Sequence, residues 1–146
     1  MPGASYLQEG LLLRHFGTDL LHVGIGLVIL FAVLLVGYYI FSLVTRYNDN
    51  KEIAEGNEAA GMYMGSKLLG LCIIVGLVSI NSNNWLDVII WSAVGIAILC
   101  LVYILFDLIT PRTKVCEQIK NGNMAMAQLL RSLIIGISFV IGTFLM

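Results

Sequence analysis

The chain has 146 residues, of which 59% are hydrophobic and 12% charged, and its mean hydropathy is +0.93. A soluble domain carries about 25% charged residues, so a chain this apolar has lipid as its solvent over most of its length. The net charge of −1 exerts no long-range pull on nucleic acid, and nucleic-acid binding is set aside on that ground.

Residues 1–19 are mixed and read as an interfacial segment. Leu7, Leu11 and Phe16 share one face of a short helix, with Gln8, Glu9 and Arg14 off it. Gly17, Thr18 and Asp19 read as a break, with Thr18 capping the next helix. His15, Asp19 and His22 recur at intervals of four and three, a spacing that suits metal ligands or a proton relay on one continuous helix. The expected break argues against that reading, and His22 reads as a polar residue near the interface.

The first span covers residues 20–44 and carries no charge. Such a helix rises about 37 Å, enough to cross a hydrocarbon core of about 30 Å with tilt. The run is also too long for the apolar part of a signal peptide, and no small-residue cleavage pattern closes it. Arg46 and Tyr47 mark its far end, and a polar loop follows over residues 46–58. Asp49, Glu52, Glu55 and Glu58 crowd that loop and read as a solvated surface, with Lys51 and Glu55 spaced to pair.

The second span covers residues 59–80 and is interrupted by Lys67; an uncharged turn, residues 81–84, and Trp85 at headgroup level follow. The third span covers residues 86–109, with Asp87 and Asp107 near its ends and Pro111 as its stop. A second polar loop, 111–123, leads into a fourth span over residues 124–146 that holds Arg131 in its first turns.

The two halves repeat. Phe41-Ser42-Leu43-Val44-Thr45 returns as Phe106-Asp107-Leu108-Ile109-Thr110, and Gly56-Asn57-Glu58-Ala59 returns as Gly122-Asn123-Met124-Ala125. Ser66, Gly70 and Gly76 return as Ser132, Gly136 and Gly142. The expected fold is therefore all-α and integral to the membrane. Four transmembrane helices form two tandem hairpins of like orientation, residues 20–80 and 85–146. All but one of the 8 Lys and Arg residues lie at the loop side, Arg14 being the exception. Basic residues stay inside, so both loops are expected in the cytoplasm and both termini outside.

Few residues carry chemistry. Asn57 and Asn123 read as helix caps, with Gly56 and Gly122 supplying the sharp entry; the competing reading is a pair of amides at a pore or partner surface. Gly61, Gly65, Ser66, Gly70, Ser132, Gly136, Ser138 and Gly142 fall at intervals that let helix backbones approach closely, within one subunit or between subunits. Lys67 and Arg131 either snorkel to the interface or pair with Asp107, as structural charges or as the lining of a path. The 3 cysteines, Cys72, Cys100 and Cys116, have no metal-ligand spacing and read as packing residues and a reduced thiol. No nucleophile–base pair, phosphate loop or paired carboxylates stand out, so no enzyme activity, metal or cofactor is expected.

With F-x-L-[VI]-T before each loop and G-N-x-A after it, the chain from residue 20 onward resembles the YjfL-like bacterial membrane proteins, catalogued as domain of unknown function 350, in two tandem copies. The resemblance implies two transmembrane helices per copy and a place in the inner membrane, and it brings no activity with it. Family members are often encoded beside soluble cytoplasmic proteins, which implies a protein partner. Ser42 stands where the second copy has Asp107, which breaks any symmetric acidic pair. The leading expectation is an oligomeric scaffold or anchor for cytoplasmic partners; the alternative is a subunit of an oligomeric ion or small-solute channel.

Overall fold

The computed structural model describes residues 3–45, 49–109 and 115–146, with side-chain surroundings from His15 onward. Arg46, Tyr47, Thr110, Pro111, Arg112 and Lys114, and the side chains of Leu7, Leu11 and Arg14, lie outside the described residues. The described residues form helices and no strands: α1 (Gly3–Thr45), α2 (Asp49–Ala54), α3 (Glu58–Asn81), α4 (Trp85–Ile109), α5 (Val115–Lys120) and α6 (Met124–Leu145). Four stretches are long and apolar enough to cross a membrane: His15–Thr45, Glu58–Asn81, Trp85–Ile109 and Met124–Leu145. The described residues are all-α, as apolar runs of membrane length predict.

The expected break at Gly17 is absent. α1 runs on through it, and Thr18 Oγ1 donates to the His15 carbonyl at 2.8 Å, turning the hydroxyl back onto its own helix. One glycine costs a helix only about 1 kcal/mol, too little to stop a run whose backbone has no competing partner in lipid.

The chain divides into two units, Met1–Ala32 and Val33–Met146. In the first, Phe16, Leu20, Leu21, Val23, Val28 and Phe31 are all exposed, an apolar surface suited to lipid. The second holds the core, where Phe41, Tyr63, Leu71, Ile74, Ile119 and Leu130 are fully buried.

Within that second unit α3 makes its widest contact with α6, and both touch α4. Small residues set the approach. A Cβ on Gly70 would meet Ser138 Oγ at 2.6 Å and Ile134 Cγ2 at 2.8 Å, and one on Gly142 would meet Leu77 Cδ1 at 2.6 Å. Ser66 is buried and donates to the Tyr63 carbonyl at 2.6 Å. Gly70 and Gly142 thus serve packing inside the subunit. Gly61, Gly65 and Gly136 differ, with no atom of the described residues within 4 Å of where a Cβ would stand, and Ser132 is exposed and donates to the Gln128 carbonyl at 3.1 Å. The tight connection after α3 is closed by Ser82, whose Oγ donates to the Val78 carbonyl at 2.8 Å.

Candidate functional site

The turns that lead into α3 and α6 are built alike. Gly56 and Gly122 hold φ of 85° and 76°, a region L-residues avoid. Gly56 N–H donates to the Ile53 carbonyl and Asn57 N–H to the Glu52 carbonyl, both at 3.0 Å. Gly122 and Asn123 do the same with Ile119 and Gln118, also at 3.0 Å. These bonds occupy carbonyls that a helix end leaves free. Each asparagine then caps the next helix: Asn57 Oδ1 accepts from Ala60 N–H and Asn123 Oδ1 from Met126 N–H, both at 3.2 Å.

The two amides part ways at their nitrogens. Asn123 Nδ2 donates to Gln118 Oε1 at 2.9 Å, within its own turn. Asn57 Nδ2 faces Glu52 Oε2 at 3.4 Å and also donates to the Ile119 and Lys120 carbonyls at 2.9 and 3.1 Å. Asn57 therefore caps α3 with its oxygen and the end of α5 with its nitrogen, fastening one turn to the other. Val115 and Ile119, both fully buried, anchor α5 from below.

Beneath this seam lies a buried charge pair. Lys67 is 0% exposed. Its Nζ donates to Asp49 Oδ2 at 2.8 Å and to Thr45 Oγ1 at 3.1 Å, and it stands over the Tyr63 ring, 4.1 Å from the centroid. An ammonium has three donors; a carboxylate, a hydroxyl and an aromatic face take up all three. The Thr45 hydroxyl accepts from Lys67 and donates to the Ser42 carbonyl at 3.1 Å. Phe41 closes the side, 5.7 Å from Nζ, and meets Tyr103 edge-on at 5.5 Å. Cys116 on α5 completes the wall: its Sγ donates to the Thr45 carbonyl at 3.4 Å and lies 3.9 Å from the Tyr103 hydroxyl. Burial pushes the Cys116 thiol above its ordinary pKa, while the Tyr103 hydroxyl pulls it down. Asp49 Oδ1 is buried with no hydrogen-bond partner among the described residues.

This arrangement corrects two expectations. Lys67 neither snorkels nor pairs with Asp107; its partner is Asp49. Asp49, read as part of a solvated loop, is 2% exposed, because α2 folds back and carries its first residue into the bundle. Asp107 and Arg131 are both exposed, and neither pairs with Lys67; Asp107 reaches the centre only through its charge, which raises the pKa of the Cys116 thiol. Sequence reasoning missed Phe41, Thr45, Asp49 and Tyr63 as neighbours of Lys67, and Tyr103 and Cys116 packed behind them. One signal was available: Phe41 and Thr45 on α1, and Tyr63 and Lys67 on α3, are each four apart, so each pair shares a helix face. His15 and Asp19 are exposed, as is His22, and the described residues include no cluster of three His, Cys, Asp or Glu able to hold a metal.

Comparison with known families agrees with this architecture. The family described as Domain of Unknown Function (DUF350) matches residues 12–145, beginning inside the segment that the repeated motifs left outside the resemblance. The chain is 34% identical over 102 residues to the UPF0719 transmembrane protein YshE of Bacillus subtilis, covering 70% of this chain and 76% of that one. It is 29% identical over 103 residues to the UPF0719 inner membrane protein YjfL of Escherichia coli K12, covering 70% and 72%. No solved structure matches.

Proposed function

This chain belongs to the DUF350 family, and on that footing we propose that it is an oligomeric inner-membrane scaffold whose two turns form one composite surface for a cytoplasmic protein partner. The observation that carries the proposal is the double use of Asn57, whose amide nitrogen binds the Ile119 and Lys120 carbonyls while its oxygen caps α3. Two loops far apart in sequence are held in one register, which a docking platform needs and a passive connection does not. The Lys67–Asp49 pair pins α2 from beneath. The seam opens on a depression of about 470 Å³ lined by Glu52, Glu55, Asn57, Glu58, Lys120 and Asn121. Glu52 and Glu55 favour a partner with a basic surface. The basic residues of the loops favour a cytoplasmic side for this face, which would leave both termini outside.

The channel reading draws less support. It requires Lys67, Asp107 and Arg131 to line one path, yet Lys67 is sealed in its pair while the other two are exposed. A photo-crosslinking residue at Glu55 in living cells tests the scaffold. A discrete adduct with a soluble protein, lost on Asn57→Ala, is the expected outcome. Solute-selective flux in reconstituted vesicles that Lys67→Ala abolishes would overturn it. Cysteines at Lys51 and Lys114 that label from opposite faces of the membrane would overturn the orientation.

A further inference from the structure

We infer that the groove between the first halves of α3 and α6 receives a second copy of this chain, Glu58 of each copy pairing with Arg131 of the other. The inference rests on the oligomeric part of the proposed function and names the surface. The groove has a volume of about 420 Å³ and includes Glu58, Met62, Gly65 and Leu69 from α3 and Met124 and Arg131 from α6. Met62, Leu69 and Met124 supply apolar wall, and at Gly65 no atom of the described residues lies within 4 Å of where a Cβ would stand; the same holds one turn earlier at Gly61. Open small residues four apart allow two helix backbones to approach closely in lipid. Gly70 and Gly142 are already filled by neighbours within the subunit, so the open positions form a separate surface.

Charge selects the occupant. Glu58 and Arg131 line one groove, yet among the described residues the ion pair found within 4 Å is Lys67–Asp49 and involves neither. A twofold interface sets a patch against itself. A patch of one sign would repel its copy, whereas a patch with one acid and one base satisfies both when the axis passes between them. An anionic headgroup would meet Arg131 but be repelled by Glu58. Arg131 also lies two turns into an apolar helix, where a countercharge is worth more than at a wet surface.

Charge reversal on the full-length protein in lipid nanodiscs or mild detergent tests this. Native mass spectrometry should find a dimer for the unaltered chain. Glu58→Arg and Arg131→Glu should each weaken it about tenfold or more, and the double reversal should restore it. Should a reversal prevent folding, a second measurement stands alone. With the three cysteines replaced by alanine, Leu69→Cys should give a covalent dimer with a short bismaleimide, and Phe139→Cys, exposed elsewhere on α6, should not. Dimers insensitive to both single reversals, a monomer that carries only bound lipid, or equal crosslinking at Leu69 and Phe139 would each overturn the inference. None of these results depends on the Glu55 crosslink, so the two readings fail separately.

Discussion

The α2–α3 turn and the α5–α6 turn share a backbone and differ in what lies beneath. Counting 66 residues on from Asp49 and Lys67 reaches Val115 and Leu133. The second turn thus reaches the same cap geometry, Asn123 at φ −71° and ψ 95° against Asn57 at φ −75° and ψ 101°, over an apolar interior in which Val115 is fully buried. The glycine–asparagine entry is therefore sufficient to form the turn, and the buried ion pair is an addition that the backbone does not require. Buried pairs often contribute no more stability than apolar residues of similar volume. Its presence in one turn alone points to a role in positioning α2.

Breaking one partner should have the largest effect. Lys67→Ala or Asp49→Ala leaves a lone buried charge and should cost about 3–5 kcal/mol, whereas Asp49→Val with Lys67→Leu, which copies the second turn, should be neutral or stabilising. Equilibrium unfolding in detergent measures this, and a double variant as unstable as the singles would sink the comparison. Next come the asparagines. Asn123→Ala removes a cap worth about 1 kcal/mol. Asn57→Ala also frees two carbonyls and should cost about 2–3 kcal/mol; equal losses would deny Asn57 its bridging role.

Cys116 supplies a pH dependence. Its folded pKa is raised by burial above the ordinary 9.0, so the folded state disfavours the thiolate. Stability from this group is complete below that ordinary value and is lost as the pH rises through the folded value. Alkylation of Cys116, followed by mass spectrometry, should correspondingly lag behind the unfolded chain until more alkaline pH. The smallest effect is expected for Asp107→Asn, since Asp107 is exposed; melting should shift by less than about 0.5 kcal/mol equivalent.

The parts of the fold that were legible in the sequence rest on local quantities. Four spans followed from apolar runs of membrane length, and the turns followed from Gly-Asn pairs whose conformational and capping preferences act over three or four residues. The break at Gly17 misled because a single glycine is a weak signal against a long apolar helix. Asp49 misled because its loop neighbours Glu52, Glu55 and Glu58 are charged and partly or fully exposed, so composition alone classed all four together.

Sequence by itself determined that this chain is helical, lies in lipid, and turns at Gly56 and Gly122, because hydropathy and backbone preference need no distant partner. Only the tertiary structure decided that Lys67 meets Asp49 rather than Asp107, that Asn57 ties two loops together, and which glycines are filled or open. Those outcomes depend on which faces of α1, α3, α5 and α6 are brought together, and a buried charge or a free carbonyl takes whichever partner that packing sets within hydrogen-bond reach.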